Sequence, residues 1–312
     1  MTTTTAPTIA ENLKQFFYRP PWVGLLAFGI VFMVQGLGHT VMTGMIWLFG
    51  NQYVLLYAAV LGLAGGVLLF IGMRKTGEVG ATWLGFFAGT FLWTGWVEFA
   101  FVWSKNYLGV PDLMDIHAPG EIATKAEYLV MMSSVGVLLA TLAPLMMNKE
   151  TKCNMFVWFQ RRLKLRTGKP SRGYERNFAY ITCLETMYVV WFCYLALLFI
   201  YDENILGDRH PVTYAIFVAN TIWSLYLLQR LAQMWKVTTA IRYAIPTGII
   251  AYSSYEILGR WNLYTDIWVH PDQYWLELSL VLAALLAATA IAAFTPQHQK
   301  AKLDQEAKLK GA

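Results

Sequence analysis

The sequence predicts an all-α integral membrane protein of eight transmembrane helices, grouped as two similar four-helix units. Three observations carry this reading. Of 312 residues, 57% are hydrophobic and only 14% charged, where a soluble domain carries about 25% charged. Eight apolar segments each approach the roughly 20 residues a spanning helix needs. The basic residues fall almost wholly on alternate connections, as the positive-inside rule requires.

The segments are placed at 22–48, 52–73, 81–104, 125–147, 178–200, 211–234, 240–259 and 273–294. The seventh is the most interrupted, by Pro246 and Gly248; proline in a spanning helix implies a kink whose freed carbonyl is satisfied by neighbours. The polar start, residues 1–21, lacks the short apolar core and small cleavage-site residues of a signal peptide. The first helix is therefore expected to serve as the insertion signal. The units are 22–147 and 178–294, joined by a basic loop at 148–177 and followed by a polar tail at 295–312.

Orientation follows from charge. Arg74 and Lys75 follow the second segment, nine Lys or Arg lie within 149–176, and Arg230, Lys236 and Arg242 surround the turn after the sixth. Of 24 basic residues, only Lys105, Lys125, Arg209 and Arg260 belong to the other side, leaving 20. Both termini and the central loop are thus expected in the cytoplasm, in a bacterial inner membrane. The net charge of +5 is a topogenic signal facing lipid, not a nucleic-acid surface. The opposite connections are acidic and hold His117, His210 and His270. Cys153, Cys183 and Cys193 form no CxxC pair, so neither a disulfide framework nor a zinc signature is expected.

Intramembrane carboxylates are the functional signal, because charge at membrane depth is costly and normally faces an interior site. Glu98 stands in WTGWVEFAFVW (93–103), five residues before Trp103; Glu256 stands in EILGRW (256–261), five before Trp261. The flanks repeat as well. Tyr57-Ala58 and Tyr214-Ala215 precede the two glutamates, Asp115 and His117 are echoed by Asp266 and His270, and Glu127 and Glu277 open the last helix of each half. Four spans per half would keep the copies in one orientation, a parallel repeat about an axis along the membrane normal.

At 1.5 Å per residue, Glu98, Glu256, Glu127 and Glu277 are expected at similar depth near the acidic side, with His39 of the first helix in reach. Glu185, seven residues into the fifth helix from the basic side, lies apart. Carboxylates with imidazole suit a divalent or transition metal, which removes their mutual repulsion. They suit proton or cation coupling equally well. Ordinary structural roles stand beside both: a Glu256–Arg260 pair on one helix face, Glu127 and Glu277 complementing helix dipoles, and Glu98 hydrogen-bonded to a neighbour. Asp115, His117, Asp266 and His270 are loop candidates for the same site.

Three function classes remain open. One is a metal-binding or redox membrane protein, another a proton- or cation-coupled transporter or channel. The third is a structural anchor for other subunits of a membrane complex. Multi-histidine boxes, HExxH, P-loop and GxSxG motifs are absent.

Overall fold

A computed structural model describes residues 16–114, 122–148, 154–165 and 175–293. Its elements are helices α1 (Trp22–Phe49), α2 (Val54–Met73), α3 (Glu78–Leu108), α4 (Ala126–Met132), α5 (Val135–Met147), α6 (Asn154–Arg162), α7 (Phe178–Tyr201), α8 (Pro211–Ala232), α9 (Val237–Arg260) and α10 (Trp275–Ala293). One antiparallel ribbon, Leu113–Met114 with Ile122–Thr124, follows α3.

Six helices are long and apolar enough to cross a membrane: α1, α2, α3, α7, α8 and α10. The α4–α5 pair, bent by 45°, makes a seventh if it is one span. Its break has a local cause. The Ser133 and Ser134 hydroxyls donate back to the Val130 and Met131 carbonyls, each at 2.6 Å, and such back-bonding bends helices. Trp191 Nε1 on α7 donates to Ser134 Oγ at 2.9 Å and fixes the bend against the bundle. The seventh predicted segment is a continuous 24-residue helix, α9. It is too polar to qualify by hydropathy alone, since it carries Arg242, Glu256 and Arg260. It packs against α1, α3, α7 and α8, so its polar side chains have protein partners rather than lipid.

The exterior is as apolar as the core. Leu56, Val60, Leu63 and Val67 of α2, Ile222 and Leu225 of α8, and Leu280 and Leu286 of α10 are all exposed. A band of that kind on several helices suits a bilayer and would be an aggregation surface in water. The interior is filled by Ile30, Val31, Phe86, Met131, Leu138 and Leu231.

Small residues set the helix spacing, as they do where no hydrophobic drive separates helix from lipid. A Cβ on Gly85 would lie 2.3 Å from the Ala179 carbonyl oxygen, and one on Gly89 would lie 2.8 Å from that of Cys183, so α3 and α7 touch backbone to backbone. Gly248 of α9 likewise admits Val31 of α1. Helix α3 lies on α7 and α9 on α1; α2 lies on α3 and α7, and α8 on α9 and α1; α4 and α5 lean on α7, and α10 on α1.

Two ends can be told apart. The acidic end carries the connections after α1, α7 and α9, where Thr40 donates to the Trp268 carbonyl and Trp261 Nε1 to the Asp208 carbonyl; the basic end carries those after α2 and α8, where the starts of α3, α7 and α9 meet. At the basic end Asn177 caps α7 by accepting from Tyr180 N at 3.0 Å, while its Nδ2 donates to the Met73 carbonyl. Arg242 of α9 pairs there with Glu78 of α3 and lies over the Phe178 ring. At the acidic end His210 caps α8 through Nδ1, 3.2 Å from Val212 N, with Pro211 opening the helix.

Candidate site: an intramembrane carboxylate cavity

The two glutamates of the repeated figure arrive on different backbones. Glu256 sits on the regular α-helix α9, whereas residues Trp93–Glu98 of α3 form a π-helical turn that ends on Glu98. A π-turn inserts an extra residue per turn and occurs often at functional sites. Here it is wedged by packing. A Cβ on Gly95 would lie 2.4 Å from Gly62 N, and Trp96 lies so close to Gly62 that a Cβ there would meet its ring at 2.0 Å. The turn rotates Trp93, Thr94 and Glu98 inward, all three buried, and leaves Trp96 exposed.

A cavity of about 1050 Å³ opens at the acidic end. Its rim is Ala123–Lys125, Leu206–Pro211 and Asn262; its deeper wall holds His39, Trp93, Glu98, Tyr194, Tyr252 and Glu256. Toward the basic end it stops on tightly packed Val31, Phe86, Ala244 and Ile245.

Within it the charged groups have chosen partners. His39 Nε2 lies 3.2 Å from Glu256 Oε1, and the His39 ring stacks at 6.5 Å from Tyr252. Glu98, only 5% exposed, accepts from the Tyr194 hydroxyl at 3.0 Å, with Thr94 beside it. Tyr128 in turn meets Tyr194, their rings 6.0 Å apart. No Lys, Arg or His forms an ion pair with Glu98 among the described residues. Asp266, at the mouth, caps a short turn by accepting from Trp268 N. Burial pushes its carboxyl above the usual carboxylate range, with the nearby Glu256 carboxylate adding to this and His39 opposing it.

The other expected members lie elsewhere. Glu127 is buried in the first turn of α4 but pairs with Lys105 of α3. Glu277 is exposed in the first turn of α10, and His270 is exposed in the loop before it; neither lines the cavity. Asp115 and His117 fall outside the described residues. The expected Glu256–Arg260 pair gives way to longer-range contacts. Arg260 donates through Nε to Asp208 Oδ2 at 2.8 Å and through a terminal nitrogen to the Ala123 carbonyl, tying two loops together at the rim, while Glu256 turns to His39. Glu185 lies near Arg242 at the basic end, away from the cavity.

No three His, Cys, Asp or Glu side chains among the described residues converge as a metal-ligand group. The sequence reading overlooked Tyr194, Tyr128 and Trp93. Depth counting reaches one of them, since Tyr194 is seven residues before Tyr201 at the end of α7, as Glu98 is seven before Lys105. Comparison with family models, curated proteins and solved structures finds no match to this chain.

Proposed function

We propose that the protein is a proton- or cation-coupled membrane transporter whose coupling site is the cavity holding Glu98, His39 and Glu256. The carrying observation is a buried carboxylate, Glu98, that forms no ion pair among the described residues and stands on the wall of a cavity open at one end and closed at the other. A structural carboxylate at this depth is expected to be matched by a cation, since leaving it charged costs about 2.5–3.5 kcal/mol even at the modest end. A carboxylate that exchanges a proton or a cargo cation is left open to the cavity.

The finer architecture belongs to the same proposal. All eight segments span the membrane, α9 included, with both termini in the cytoplasm and the cavity facing outward. The two halves are a parallel repeat in which α1 corresponds to α7, α2 to α8, α3 to α9, and α4–α5 to α10. What supports this is that exchanging the halves turns four contacts into four others: α3–α7 into α9–α1, α2–α3 into α8–α9, α2–α7 into α8–α1, and α4/α5–α7 into α10–α1. The α7–α9 and α3–α4 contacts are not matched in this way by α1–α3 and α9–α10. Glu98 and Glu256 then face the cavity from α3 and α9, which meet near the axis.

A metal-binding reading keeps one supporting contact, His39 with Glu256, where an ion could replace the shared proton; a third ligand would have to be recruited. The two readings separate in one preparation. Purified protein is reconstituted into liposomes enclosing a pH-sensitive dye, and proton movement is followed after a pH jump. Wild type is expected to dissipate the gradient, and Glu98→Gln to do so at least about tenfold more slowly, because an amide exchanges no proton in this range. Equal rates for both would overturn the coupling role. Stoichiometric metal in wild type, lost in Glu256→Gln, would favour the metal reading. A fixed copurifying subunit with neither property would favour an anchor.

A further inference from the structure

Resting on the transporter reading, we infer that the cargo is a small organic ammonium cation, held by Glu98 against the aromatic wall of the cavity. The deep wall of the cavity carries two carboxylates, Glu98 and Glu256, against one imidazole, His39, with a third carboxylate, Asp266, at the mouth. His39 is engaged with Glu256, so negative charge is left over at Glu98. The site therefore selects cations.

The surroundings of Glu98 decide which kind. Calcium takes about six to eight oxygen ligands at close range, and no three His, Cys, Asp or Glu side chains among the described residues gather to supply them. The cavity that Glu98 lines is also lined by the aromatic side chains of Trp93, Tyr128, Tyr194 and Tyr252. Trp93 and Tyr194 stand 6.2 Å apart at their centroids, Tyr128 stands 6.0 Å from Tyr194, and Tyr252 closes the far side behind His39. Aromatic faces attract weakly hydrated cations within about 6 Å of the ring, tryptophan most strongly, and recognise ammonium groups in this way. They offer far less to a metal ion that must shed its water.

The second ammonium-holding element is the Tyr194 hydroxyl, which donates to Glu98. It fixes one carboxylate oxygen and thereby orients the carboxylate toward the cavity. Removing it should loosen the anion without removing the ring, so charge and aromatic contributions can be separated by substitution.

The test is calorimetric titration of the full-length protein in lipid nanodiscs with tetramethylammonium chloride, at constant ionic strength made up with sodium chloride. Saturable binding is expected in wild type. Glu98→Gln should weaken it at least tenfold, and Trp93→Leu several-fold, with Trp93→Phe between. Tyr194→Phe, which keeps the ring, should weaken binding less than Tyr194→Leu. Absence of saturable binding, or equal affinity in wild type and Glu98→Gln, overturns the inference. Equal affinity across the Trp93 series and the Tyr194 pair overturns the aromatic part, and serves as the check should Glu98→Gln fail to fold. Proton movement without tetramethylammonium binding would sink this inference and spare the transporter reading. Binding without any transport would do the reverse.

Discussion

At the scale of single residues, the partners chosen by the charged groups separate function from scaffold. Arg260, Lys105 and Arg242 each meet a carboxylate on another element, Asp208, Glu127 and Glu78. Such pairs hold helices and loops in place. Glu98 hydrogen-bonds to the Tyr194 hydroxyl and forms no ion pair among the described residues. Asp266 is an intermediate case at the mouth, with its carboxyl raised by burial and by Glu256. The sign of its linkage follows: a carboxyl whose folded pKa is raised holds its proton more tightly when folded. Its contribution to stability is fully present below the unfolded value of about 3.9 and is lost as pH rises through the folded one. Asp266→Asn, which still accepts from Trp268 N, is thus expected to unfold at a higher temperature than wild type at neutral pH. The difference should vanish below about pH 4. A variant less stable than wild type at pH 7 would show that the ionised carboxylate is the stabilising form.

At the scale of elements, what was readable in the chain was whatever periodicity and length dictate. The apolar run 178–200 became α7 (Phe178–Tyr201), and 211–234 became α8 (Pro211–Ala232), because nothing tertiary competes with a long apolar helix. The π-turn Trp93–Glu98 was not readable, since it arises from Gly95 meeting Gly62 on another helix. Depth counting brings His39 within reach of the glutamates, but it does not decide between His39, more than 200 residues away, and Arg260, four residues on, as the partner of Glu256; packing chooses His39. Composition placed carboxylates at one depth; only packing decided which of them share a cavity. Glycines illustrate the difference within one sequence pattern. Gly85 faces a backbone carbonyl of Ala179 that no rotamer change can move, while nothing lies within 4 Å of a Cβ on Gly66. Gly85→Ala is therefore expected to destabilise by about 1–3 kcal/mol through forced separation of α3 and α7. Gly66→Ala should be neutral or stabilising by up to about 1 kcal/mol, from helix propensity alone. Thermal unfolding of the two variants side by side measures both, and equal effects would contradict the close α3–α7 approach.

At the scale of the whole molecule, the proposed function demands that the closed end open. The basic end is shut by the Glu78–Arg242 pair between α3 and α9 and by the packed layer of Val31, Phe86, Ala244 and Ile245 beneath the cavity. Alternating access in repeat transporters proceeds by rocking one bundle against the other around a fixed site, so α3 and α9 must part there once per cycle. Orientation is checked first, with single cysteines in a background lacking Cys153, Cys183 and Cys193. An impermeant thiol reagent added outside should label Asp112→Cys and leave Thr167→Cys untouched; the reverse pattern would invert the topology. In the same background, Glu78→Cys with Arg242→Cys is joined by a short bifunctional thiol reagent. Cross-linked protein is expected to lose at least about nine-tenths of its transport and to recover it when a cleavable linker is reduced, because the gate is then free to part. Tetramethylammonium affinity should stay within about twofold, since the cavity opens at the other end and a ligand that does not have to open the gate pays nothing for its closure. Undiminished transport in the cross-linked protein would mean that this end never opens, and the cavity would then be a binding site rather than one half of a pathway.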